Sequence, residues 1–114
     1  MVNRHGKDIQ SYSLVLEKPI STLTFTTALE LLIATKGEDL LRVKGVVHLE
    51  EMPGRPAVIH GVQHVFHDPV WLEDWPDEDR RSKLVFITRN IPKNTIDAFF
   101  KSWQSVDNEM VGAA

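Results

Sequence analysis

The sequence predicts an α+β fold, a two-layer β-α-β-β-β-α sandwich in which two helices cover one face of a mainly antiparallel, four-stranded sheet. Three observations lead there. From Leu40 onward, short β-branched runs follow one another without an intervening helix, as hairpin-linked strands do. Two segments switch to the 3.6-residue helical period. Each of those two carries a single apolar stripe.

The elements follow in order. Residues 1–9 mix charge with a glycine and show no period, which predicts a flexible N-terminal segment ahead of a domain over residues 10–104. Ser11 to Glu17 alternates and stops before Pro19, as a first strand should. Phe25, Ala28, Leu29, Leu32 and Ile33 then recur at helical spacing, with Ser21 or Thr22 as N-cap and Gly37 as C-cap. Leu40 to Leu49 reads as a second strand, with Leu41, Val43 and Val47 on one face and Arg42, Lys44 and His48 on the other. Met52-Pro53-Gly54-Arg55-Pro56 is a turn by composition. Ala57 to His67 reads as a third strand bent at Gly61, and Asp68 to Ser82 as a long loop. Lys83 to Arg89 is the fourth strand. Pro92 then opens a second helix whose Ile96, Phe99, Phe100 and Trp103 share a face, and residues 105–114 form a flexible tail.

Composition narrows the function classes. The chain has 114 residues and a formal charge of −3, which disfavours nucleic acid as a partner. It has no cysteine, hence no thiolate metal site and no cysteine nucleophile. No apolar run is long enough for a bilayer span and no signal peptide is visible, so the expected location is cytoplasmic, without a membrane partner. No phosphate cradle of the form Gly-x-x-x-x-Gly-Lys-Ser/Thr occurs, because Gly6-Lys7 is followed by Asp8 and follows no strand. Catalytic residues are therefore not assigned, and no cofactor is required.

Three sets of residues remain. His60, His64 and His67, with His48 on the preceding strand and Asp68 as an oxygen donor, could contact zinc or cobalt weakly, or could be cross-strand hydrogen-bonding histidines. On a regular strand His60 and His64 would stand about 13 Å apart, too far to share one ion. Arg42, Lys44, Arg80, Arg81 and Lys83 could form a cationic sheet surface for phosphate or an acidic partner, or the loop arginines could pair with carboxylates of their own loop. Trp71 and Trp75 are either a lid on the core edge or interface anchors.

Leu40-Leu41-Arg42-Val43-Lys44-Gly45, the run His60-Gly61-Val62-Gln63-His64-Val65-Phe66-His67 with its Asp68-Pro69 exit, Trp75-Pro76-Asp77, and Arg80 to Ile87 together resemble the C-terminal domain of the CobW-type metal-chaperone P-loop GTPases. The resemblance spans about residues 10–104. It implies a non-catalytic regulatory and interaction domain of a GTPase that delivers cobalt, in cobalamin biosynthesis, or zinc. The implied partners are a P-loop GTPase domain, in cis or in trans, and a metalloenzyme client. The family's Cys-x-Cys-Cys metal motif has no counterpart here. A small stand-alone metal-binding protein built on the histidine cluster is the alternative, and an RNA-binding sheet a weaker third reading.

Overall fold

In the computed structural model, which describes residues 9–100, the strand Ser82–Arg89 runs between two others and carries the most regular burial pattern of the sheet. In chain order the elements are β1 (Ile9–Leu16), α1 (Thr22–Lys36), a 3-10 turn (Gly37–Asp39), β2 (Leu40–Val47), β3 (Ala57–Val62), β4 (Val65–Phe66), β5 (Val70–Trp71) and β6 (Ser82–Arg89). Residues 93–100 are helical and are called α2. The sheet order is β1-β6-β2-β3-β4, with β5 also paired to β3, and every one of these pairings is antiparallel. The expected two-layer α+β architecture is therefore observed.

Alternation along β6 decides the two faces. Ser82, Leu84, Phe86 and Thr88 are buried, whereas Lys83, Val85 and Arg89 are exposed. Register carries the buried set across the sheet: Leu84 lies opposite Leu14 and Gly45, and Phe86 opposite Tyr12 and Val43. Both helices close that face. Phe25 from α1 and Phe86 from β6 each pack on Phe100 of α2, with ring centroids 5.8 and 5.7 Å apart. Ala28, Leu32 and Ile96 complete the core.

Local chemistry fixes α1. Ser21 is the N-cap, and its Oγ accepts the Thr24 backbone N–H at 3.0 Å, so the threonine-rich first turn does not slip. Glu51 from the β2–β3 connection accepts from both the N–H and the hydroxyl of Thr22, placing a carboxylate at the positive end of the helix. Gly37 caps the other end with φ −52°, so it is not the left-handed cap that glycine usually supplies.

Several expectations are corrected. Leu40 is buried in place of Leu41 because a bulge separates Leu40 from Arg42: the pairs Leu40–Thr88 and Arg42–Ile87 leave Leu41 as the extra residue, and side-chain parity flips there. The third strand does not run to His67. It reverses at Gln63-His64, with Gln63 at φ 53°, and returns as β4, whose Phe66 ring covers Gly61. The segment expected as one loop contains β5, so the sheet has six strands rather than four. Ile9 is already in β1. The flexible-end assignments for residues 1–8 and 105–114, and the core role of Trp103, fall outside the described residues.

At Gly45 the β6 backbone leaves β2 no room for a side chain. A Cβ there would lie 2.1 Å from the Lys83 carbonyl oxygen and 2.7 Å from Leu84 Cα, both backbone atoms that cannot rotate away. Gly45→Ala should therefore cost about 3 kcal/mol, the upper end of over-packing penalties. Chemical denaturation checks this, and a variant within about 0.5 kcal/mol of the parent would show that the strands separate freely.

Candidate functional site

The cationic residues named from the sequence lie on the sheet face that the helices leave uncovered. Arg42 and Lys44 of β2 are exposed there, opposite Ile87 and Val85 of β6, and Lys44 also faces His60 of β3. Arg42, Lys44, Gly45, Lys83, Val85 and Ile87 line a shallow depression of about 370 Å³. The six strands hold four cations, Arg42, Lys44, Lys83 and Arg89, and no Asp or Glu. Five of the nine large apolar side chains exposed among the described residues, Ile9, Val62, Val65, Val70 and Val85, stand on the same face by register. A face this apolar, studded with one sign of charge, has the makeup of a docking surface.

Arg80 and Arg81 part company. Arg81 donates to both Asp79 oxygens at 3.0 Å and to Glu17 Oε2 at 3.2 Å, while Lys83 Nζ lies 2.7 Å from Asp79. The reading in which the loop arginines pair with their own loop holds for Arg81. The carbonyl of Arg80 accepts from His48, and its exposed guanidinium has no ion pair among the described residues. The Arg81 hydrogen bonds, then Lys83, hold the Asp79 carboxyl far below the usual carboxylate range. Asp79 in turn raises Arg81 further above its ordinary value.

The tryptophans differ as well. Trp75 is only 7% exposed; its Nε1 donates to the Pro53 carbonyl at 2.8 Å and its ring packs 5.0 Å from that of His48. It is therefore a lid anchor, which removes it from the surface on which a docking role was expected. Trp71, 37% exposed, sits on the outer strand β5, and Arg55 grips its carbonyl and that of Leu72.

The histidines scatter. His60 and His67 come together across the hairpin, with ring centroids 5.3 Å apart and the His67 N–H donating to the His60 carbonyl at 3.1 Å. His64 sits at the hairpin tip with its ring over Gly37, in the space a Cβ would fill, and lines a separate depression of about 260 Å³. The strand-rise estimate of its separation from His60 lapses, because the chain turns between them. His48 lies beside Trp75, since β2 register places Lys44 and not His48 against His60. Its Nδ1–H donates to the Arg80 carbonyl at 2.8 Å, and its buried Nε2 has no partner among the described residues. Asp68 is exposed. Among the described residues no group of three His, Cys, Asp or Glu side chains is placed to hold one metal ion.

Two residues that sequence reasoning missed shape the site. Ser82 is buried and accepts the His48 N–H at 2.8 Å, tying the end of β2 to the start of β6. Gln63 ties the hairpin to the bulged end of β2, its N–H donating to Leu40 O at 2.8 Å and its side chain to Glu38 O at 3.1 Å. The only sequence signal for the latter was a polar residue between two valine-rich runs.

Comparison with known proteins places the chain in context. Residues 9–104 match the family model described as the cobalamin synthesis protein cobW C-terminal domain. The zinc chaperone YjiA of Escherichia coli (strain K12) is 31% identical over 93 residues, which are 82% of this chain and 29% of YjiA. The crystal structure of the Zn(II)-bound YjiA GTPase from E. coli superposes with a TM-score of 0.74 at 28% identity, covering 84% of this chain and 30% of that one. A Zn(II)-bound triple mutant of the YjiA GTPase gives a TM-score of 0.76 at 29% identity, covering 85% and 30%. The chain thus spans under a third of the length of these relatives.

Two predictions follow from the loop. Trp75→Ala should cost about 3 kcal/mol through the cavity it leaves, whereas Trp71→Ala should cost about 1 kcal/mol or less; equal losses in denaturant titrations would refute the distinction. Because the folded pKa of Asp79 is depressed, its contribution is fully present above its ordinary value of 3.8 and is lost only as pH falls below that value. Melting curves of Asp79→Asn should therefore converge on those of the parent in strong acid and diverge from them at neutral pH.

Proposed function

The chain belongs to the CobW C-terminal domain family, and from that premise we propose that it is the non-catalytic regulatory and docking module of a metal-chaperone GTPase. The single observation that carries this reading is the open sheet face, where exposed valines surround Arg42 and Lys44 while both helices cover the opposite side. A two-layer sandwich leaves one sheet face to water or to a partner. The nucleotide chemistry belongs to a P-loop GTPase domain, in cis or in trans, because these 114 residues contain no phosphate cradle. The delivered metal is cargo, and the name of the zinc chaperone relative favours zinc over cobalt. The recipient is a metalloenzyme client, and the setting is the cytoplasm. No helix among the described residues is long and apolar enough to cross a membrane.

The second reading, a small metal-binding protein, has one observation in its favour, the adjacent His60 and His67 rings. Two imidazoles alone make at most a weak, open site.

Calorimetry tests the first reading. The chain should bind a separately expressed GTPase domain of the family, and Arg42→Glu with Lys44→Glu should weaken that binding at least tenfold without lowering the melting temperature. The chain alone should take up no GTP with magnesium. Binding unaffected by the charge reversal, or one-to-one micromolar GTP binding by the chain, would overturn the reading.

A further inference from the structure

The cations of the sheet are not equivalent. Lys83, at one end of β6, holds Asp79 at 2.7 Å, and Arg89, at the other end, holds Asp39 at 3.1 Å. Both carboxylates come from segments outside the strands. Between these two ends lie Arg42 and Lys44, for which no carboxylate is within ion-pair distance among the described residues. The domain therefore brings its own acid to each end of this cationic row and leaves the centre unmatched.

The centre has a defined shape. Arg42 and Lys44 are two residues apart on one strand, hence on one face and about 7 Å apart along it. Their register partners are Ile87 and Val85, so the two cations stand beside two aliphatic side chains at the same spacing. The shallow depression of about 370 Å³ lies over this tile. A sheet face with an apolar floor is ordinarily buried by a helix, and carboxylates at positions i and i+4 of a helix rise about 6 Å, close to the spacing of the two cations.

We propose that this tile recognises an acidic amphipathic helix of a partner protein, with carboxylates one turn apart meeting Arg42 and Lys44 and an aliphatic stripe meeting Val85 and Ile87. The proposal rests on the docking function above and names the chemistry of its partner. Charge complementarity supports it, since each of the two flanking cations is held by a carboxylate, Lys83 by Asp79 and Arg89 by Asp39. Nucleic acid fits less well. No Phe, Tyr or Trp stands on this face of the strands: Tyr12 and Phe66 pack against the core, Phe86 is buried within it and Trp71 pairs with buried Ala57, so among the strand residues the His60 ring beside Lys44 is all that a base could stack on.

The test is NMR titration of the chain with a synthetic helical peptide bearing Glu at i and i+4 beside a leucine stripe. A Gln-for-Glu version, inorganic phosphate and a single-stranded RNA oligonucleotide serve as comparisons. Amide shifts should centre on Arg42, Lys44, Val85 and Ile87, and binding should weaken as salt is raised. The Arg42→Gln, Lys44→Gln double variant should lose about tenfold in affinity, the sum of two partly desolvated ion pairs. Equal binding of the Gln peptide, or shifts confined to the helical face, would overturn the proposal. So would phosphate or RNA binding at the tile more tightly than the Glu peptide. If the GTPase domain bound the parent and lost affinity on charge reversal at Arg42 and Lys44, while the Glu peptide bound no better than its Gln version, the docking function would stand and the acidic-helix assignment would fall.

Discussion

The close approach of β2 to β6 at Gly45 sets the register from which the rest of the sheet follows. With no side chain at that position, the β2 backbone lies against Lys83 O and Leu84 Cα, and Val43 falls opposite Phe86 in the core. Once those residues point inward, Arg42, Lys44, Lys83 and Val85 have to point outward. The bulge at Leu41 then resets parity at the start of β2, so that Leu40 is buried as well and Gln63 can bond to its carbonyl. One tight contact thus organises the core and exposes the surface proposed for docking.

That surface is maintained by segregation of charge. The sequence is net acidic, yet the only charged residues in the described strands are cations, and two acids outside the strands, Asp79 and Asp39, pin the sheet at its ends. Exposed ion pairs of this kind contribute little to stability. Their consequence is positional: Asp79 fixes Arg81 and Lys83, Arg81 reaches Glu17 beyond β1, and the loop that carries Trp75 is seated against His48 and Pro53. The lid and the open face share one framework, since Ser82 joins the end of β2 to the first residue of β6.

Much of this was legible in the residues. The period of α1, its Ser21 cap, the alternation of β6 and the apolar positions Ile96 and Phe100 gave correct elements because each obeys a local rule. Arg42 and Lys44 were correctly placed on the exposed face by alternation alone. What was not legible depended on partners far along the chain. Leu41 looked like a core residue because a bulge leaves no trace in composition. The His60 to His67 run looked like one bent strand because its turn uses Gln63-His64 with a positive φ at glutamine, where glycine or asparagine would have signalled a hairpin. The histidines consequently scattered, and only His60 and His67 met. The role of Gly37 was likewise hidden: it reads as a helix cap, while its lack of a side chain makes room for the ring of His64.

The central claim is that the helix-free sheet face is the docking surface. Paramagnetic relaxation by a soluble gadolinium probe, read on assigned methyl groups, tests it directly. Val62, Val65, Val70 and Val85 on that face, and Leu23 and Leu31 on α1, are all exposed in the chain by itself and should all relax strongly. On addition of a family GTPase domain, the account predicts protection of the four valines and unchanged relaxation of Leu23 and Leu31. Protection of the two leucines with the valines left exposed would contradict it.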